Sequence, residues 1–135
     1  MFISVNYIAV LIATIVCMII GGLWYGPVFG KKWKELEGFT DEAMKSMPLT
    51  GGQAMGLGFI AALISNYVLA QVLGLLAVNT VGGAMQIAFL LWLGFHFTTL
   101  SGVWLWEGKS YKLWLFNAAQ YLLALLVAAA IIVSL

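Results

Sequence analysis

One histidine, His96, and one cysteine, Cys17, stand in a chain of 135 residues. A single chain with one of each cannot assemble a zinc or copper site from three or four such ligands. No nucleophile stands beside a base, no glycine-rich phosphate loop is present, and no two acids are placed as a proton-transfer pair. Glu107 is the one carboxylate beside a long apolar stretch, and Lys109 reads as its ion-pair partner in a loop. A haem held by His96 alone would have no cofactor motif around it. The sequence therefore implies no catalytic residue, no metal site and no cofactor. What remains is a set of uncharged polar side chains in apolar sequence: Asn6, Asn66, His96, Thr99, Asn117 and Gln120. In a bilayer core each is either a contact between helices or part of a functional path. As contacts, such groups are worth about 0.6 kcal/mol each. As a path they would pass protons or a small solute, with His96 the member that changes charge near neutral pH.

The elements that carry these groups follow from composition. Hydrophobic residues make up 64% of the chain and charged residues 8%, against about 25% charged in soluble domains. A water-soluble domain of this size could not hide so much apolar surface. The net charge is +1 and there is no arginine, which argues against nucleic acid as a partner. Four stretches, 3–24, 53–76, 83–106 and 113–134, contain no Asp, Glu, Lys or Arg. Each reaches the ~20 residues needed to cross a bilayer, and lipid forces such segments to be helical. The expectation is one all-α transmembrane domain over 1–135, an integral membrane four-helix bundle. The first stretch lacks a basic start and a small-residue cleavage site, so it reads as a retained span rather than a signal.

All six lysines lie between spans 1 and 2 (Lys31, Lys32, Lys34, Lys45) or between spans 3 and 4 (Lys109, Lys112). Positive loops stay in the cytoplasm. The reading is both termini outside, on the periplasmic side, and both lysine loops cytoplasmic, a sidedness that suits a bacterial inner membrane. Trp24, Trp33, Trp104, Trp106 and Trp114 fall at the lysine ends, as an interfacial belt would; Trp92 alone is deep. Between spans 1 and 2, Phe29, Trp33, Leu36 and Phe39 recur at helical spacing with lysines and glutamates opposite. That pattern predicts a cytoplasmic interfacial helix. Thr40 then reads as the N-cap of a short helix that ends before Pro48.

His96 and Asn66 each lie about 2 Å from the middle of their spans. Spans 2 and 3 share a short connection, which suggests that they pack together and bring the two side chains within reach. Trp92, His96 and Thr99 share one helical face, as do Asn117, Gln120 and Tyr121. Ordered by depth, Asn6 lies near the outer end, Asn66 and His96 at the centre, and Asn117 and Gln120 nearer the cytoplasm. Gly52, Gly56 and Gly58 in span 2, and Gly94 with Thr98 in span 3, read as close-packing seams.

Several motifs also carry a resemblance. Asn6 is followed by G-x-x-W-Y-G-x-x-F-G-K-x-W (Gly21 to Trp33), F-T-D-E-A-M (Phe39 to Met44), W-E-G-K (Trp106 to Lys109) and N-x-x-Q-Y (Asn117 to Tyr121). Together they resemble the bacterial family known as domain of unknown function 1761. The resemblance covers essentially the whole chain and implies a four-span bacterial membrane protein. It implies no activity and transfers no functional residue.

The expected function is that of a small non-enzymatic membrane protein, a homo-oligomer surrounded by lipid, which acts by helix packing or assembly. The alternative is a channel or transporter for a small solute or ion, with a polar path centred on His96.

Overall fold

A computed structural model describes residues 2–135, the side chain of Asp41 excepted. Its described residues form helices and the turns and short segments that flank or connect them, with no strand. Four helices are long and apolar enough to cross a membrane: Tyr7–Val28, Gly51–Leu75, Val81–Leu105 and Tyr111–Ser134. In chain order we label them α1, α4, α5 and α6; the short helices Gly30–Glu37 and Asp41–Lys45 are α2 and α3.

Each long helix starts on a side-chain cap, which satisfies backbone donors that would otherwise be orphaned. Asn6 Oδ1 accepts from the N–H groups of Ile8 and Ala9, both at 3.1 Å. Thr50 and Gln53 form a reciprocal capping box. Thr80 caps through Gly83 and Ser110 through Lys112. The helix α1 consequently begins at Tyr7 and not at Ile3. The extended residues before it are held by the side chain of Gln71 on α4. Gln71 Oε1 accepts from the Ile3 N–H at 3.0 Å, and its Nε2 donates to the Ile3 carbonyl at 2.8 Å.

At the other end of α1, Pro27 has no N–H to give and its ring obstructs a regular turn. The helix widens into a π-turn over Trp24–Val28, with Gly26 outside helical geometry. The chain then folds back sharply into α2. A Cβ on Gly30 would lie 3.0 Å from the Tyr25 carbonyl oxygen, so this close approach needs a glycine. Thr40 caps α3 through the Ala43 N–H at 3.1 Å, as the sequence predicts.

The long helices do not close into a ring. Helix α6 packs broadly on α1 and on α5, and α1 packs on α4. Neighbour order is therefore α4, α1, α6, α5. Helices α4 and α5, joined by the shortest connection, make few contacts with one another. This corrects the expectation that they pack together. Alanines explain the order. Ala9 and Ala13 on α1, Ala84 and Ala88 on α5, and Ala128 and Ala129 on α6 are fully buried. Such small side chains let helix backbones approach closely. Leu69, Leu73, Trp92 and Leu125 fill the rest of the core.

The sequence-visible glycine seams lie elsewhere. A Cβ at Gly58 would reach the Met18 side chain on α1 at 4.0 Å, whereas one at Gly52, Gly56 or Gly94 would meet nothing within 4 Å. These faces are uncovered within the chain.

At the lysine-bearing end, the aromatic end of α1 packs on α6, and Trp33 of α2 joins it through Tyr25, with centroids 5.3 Å apart. Phe116 on α6 lies 5.4 Å from Trp24, 5.8 Å from Tyr25 and 5.9 Å from Phe29, centroid to centroid. Lys109 Nζ donates to the Glu37 carbonyl at 2.8 Å and sits 3.4 Å from its carboxylate. The partner of Lys109 is thus Glu37 and not its sequence neighbour Glu107. A lysine tethers two loops here because its flexible stem reaches across, with the Phe39 ring 6.0 Å beneath its ammonium.

Candidate functional site

The polar groups of the spans separate into three fates. Some are spent on local backbone. Asn6 caps α1 and does not point into the helix row. Thr99 is exposed on the outer face of α5. An unbroken α-helix would align it with Trp92 and His96. Between them, however, α5 becomes π-helical over Trp92–Phe97. Each i→i+5 bond there adds a residue to the turn and rotates the later part of the helix about its axis.

A second group joins neighbouring helices. Asn66 on α4 is buried, and its Nδ2 donates to Thr14 Oγ1 on α1 at 3.2 Å. The Thr14 hydroxyl in turn donates to the Val10 carbonyl at 2.8 Å. Asn117 Oδ1 on α6 accepts from the Tyr25 hydroxyl at 2.8 Å. Trp92 Nε1 donates to the Ala118 carbonyl, and Trp114 Nε1 to the Phe97 carbonyl, both at 2.8 Å. These are interhelical hydrogen bonds of the kind that hold membrane helices in register.

The third group faces a cavity of about 590 Å³ between α4 and α5, backed by α1 and α6. It exists because α4 and α5 do not pack. Cys17, Gly21, Asn66, His96, Gln120 and Tyr121 are among its lining residues. Asn66 and His96 thus face one cavity, but no hydrogen bond joins them. The His96 ring stacks on Tyr121, with centroids 5.3 Å apart and planes 26° apart. Gln120 is only 7% exposed. Its Nε2 lies 3.6 Å from where a Cβ on Gly21 would sit, so the glycine leaves the amide its room. Among the described residues neither Gln120 nor His96 makes a side-chain hydrogen bond, and no lysine, aspartate or glutamate lines the cavity. Among them, no three His, Cys, Asp or Glu side chains are grouped to hold a metal ion.

The tryptophans also divide. Trp106 is 85% exposed, and Trp104 stacks on Trp114 at 5.6 Å. Trp33 packs between Tyr25 and Phe39. Trp24 is half-buried beneath Phe29 and Phe116, and its indole N–H is buried without an acceptor.

Sequence reasoning passed over Thr14, Tyr25 and Gln71, which make the bonds just described, and Tyr121 as the partner of His96. A glutamine inside an apolar stretch was the available signal for Gln71. Thr14 and Tyr25 carry none, since hydroxyls at such positions commonly bond their own helix.

Residues 8–133 match a family described as Protein of unknown function (DUF1761). The chain belongs to this family. The match takes in nearly all of the four long helices, including every cavity-lining residue named above. No curated protein and no solved structure matches it significantly. The DUF1761 description carries no activity, so the site has to be read from its own geometry.

Proposed function

We propose that this DUF1761 protein is a non-enzymatic, multi-pass protein of a bacterial inner membrane that acts by packing against further copies of itself. The lysine-bearing end faces the cytoplasm, with α2 lying at that membrane surface, and both termini are periplasmic. The carrying observation is the uncovered glycine faces. Gly52 and Gly56 on α4, and Gly94 on α5, have open space where a Cβ would be. A helix-interior glycine costs about 1 kcal/mol relative to alanine. Lipid needs no such gap, whereas a second helix does. Against a through-route for a small solute or ion stands the pairing of Asn66 with Thr14 and of Asn117 with Tyr25. Those bonds occupy two of the groups that a path would use, whereas His96 and Gln120 face a cavity without a side-chain hydrogen bond among the described residues.

The test is the mass of the complex. Purified in mild detergent and weighed by native mass spectrometry, the wild type is expected as a dimer or larger. Gly56→Leu combined with Gly94→Leu is expected to shift it to monomer with helix content unchanged. A wild type that is monomeric at every detergent-to-protein ratio would remove the proposal.

A further inference from the structure

The cavity between α4 and α5 raises a separate question: what satisfies its polar groups. Gln120 is the clearest case. It is more than nine-tenths buried, and its amide faces the cavity without a protein partner. An amide carries two donors and an acceptor. Left unpaired in an apolar setting, such a group costs about 1–3 kcal/mol. The His96 ring offers a nitrogen donor and a nitrogen acceptor in its neutral form. On α4, Asn66 spends its Nδ2 on Thr14, while its Oδ1 accepts no bond. Three polar side chains from three helices thus converge on one space whose remaining walls are mostly hydrocarbon.

We infer that this cavity is a binding site for an uncharged amphiphile, with a carbonyl- or hydroxyl-bearing head at Gln120 and His96 and an apolar body reaching out between α4 and α5. The charge follows from the lining. Among the described residues no acid or lysine lines the cavity, so a cationic head would be buried without a counter-charge and an anionic one would have to hold a proton on His96 in a mostly apolar wall, both at a cost. A pure hydrocarbon is equally excluded, because it would leave Gln120 and His96 unpaired. The size agrees: about 590 Å³ lies within the ~300–1,000 Å³ typical of small-ligand sites. Because α4 and α5 barely touch, the mouth lies between two membrane-spanning helices, and a ligand dissolved in the bilayer enters without crossing water. Two membrane-borne sources share this head chemistry: a tailed quinone, with ring carbonyls, and a neutral glyceride, with ester carbonyls and a hydroxyl. The inference does not depend on self-association. The binding site is complete within one chain.

The experiment uses the full chain in detergent micelles and four probes read by native mass spectrometry: decylubiquinone, dioctanoylglycerol, decyl phosphate and decyltrimethylammonium. At least one neutral probe is expected to bind at a single equivalent per chain, and neither charged probe. Gln120→Leu is expected to weaken binding about 10-fold, as loss of one well-placed hydrogen bond would. His96→Phe retains a ring against Tyr121 and removes the nitrogens, so it should weaken binding by a similar factor even if Gln120→Leu unfolds. Gln86→Leu, on the exposed face of α5, should leave binding unchanged. Preference for one neutral probe identifies the source; equal binding of both shows that the head alone is recognised. Failure of both neutral probes to bind, binding of a charged probe as tightly, or equal binding by Gln120→Leu, His96→Phe and wild type would overturn the inference.

Discussion

Trp92→Ala is expected to destabilise the protein by about 3–5 kcal/mol, the range for removing a large buried aromatic. Trp92 is 9% exposed and belongs to the central core cluster with Ala88, Ala118 and Leu125. Its ring lies 5.2 Å from Phe97 and 5.7 Å from Phe89, and its indole N–H reaches the Ala118 carbonyl on α6. Truncation therefore opens a void at the contact that holds α5 to the row. Helix α5 scarcely touches α4, so its seam with α6, in which Trp92 is the largest buried side chain, is what holds it. Trp92→Phe retains most of the ring and loses the hydrogen bond, so its cost should be nearer 1 kcal/mol. Trp106→Ala, at a position 85% exposed, should stay within about 0.5 kcal/mol. Reversible unfolding in mixed micelles, followed by circular dichroism, ranks the three. A Trp92→Ala protein as stable as Trp106→Ala would show that α5 is held in some other way.

Gln71→Leu is the second large effect, and it acts on the opposite end of the row. One side chain satisfies both the N–H and the carbonyl of Ile3, and its Nε2 also donates to the Tyr67 hydroxyl oxygen at 3.1 Å. Gln71 is 5% exposed, so leucine fills its space but leaves two backbone groups unpaired. A cost of about 2–4 kcal/mol follows from one to two orphaned polar groups at roughly 1–3 kcal/mol each. The same change should abolish hydrogen-exchange protection at the Ile3 amide while leaving the centre of α1 protected. Gln71→Glu should be no better, because a carboxylate oxygen would face the Ile3 carbonyl where an amide N–H now donates. Unaltered protection at Ile3 in Gln71→Leu would mean that the segment is fixed by its apolar contacts alone.

The four long helices are legible in the sequence because lipid leaves so little choice. Twenty apolar residues without charge must hydrogen-bond internally. Which helices touch is far less legible. The short link between α4 and α5 suggests neighbours, yet buried alanines at Ala84, Ala88, Ala128 and Ala129 bring α5 to α6 instead. Glycines draw the eye as seams, but the chain closes on alanine and leaves Gly52, Gly56 and Gly94 uncovered. Helical periodicity places Trp92, His96 and Thr99 together, and fails because the π-segment alters the count between them. Asn6 illustrates a different ambiguity. The sequence places its amide at the outer end of the polar set, and the bonds to Ile8 and Ala9 make it a cap instead. Local caps such as Thr40 are read correctly because their partners lie within three residues. The link from Lys109 to Glu37 spans 72 positions, and no local pattern announces it.

Sidedness is the most direct test of the proposed membrane arrangement. Cys17 is the only cysteine, so Cys17→Ala gives a background in which single thiols can be placed at Ser46→Cys, in the loop between α1 and α4, and at Asn79→Cys, in the turn between α4 and α5. An impermeant maleimide applied to intact spheroplasts should label Asn79→Cys at once and Ser46→Cys only after the membrane is opened. Labelling of Ser46→Cys in intact spheroplasts, with Asn79→Cys protected, would contradict the proposed orientation and the cytoplasmic position of α2.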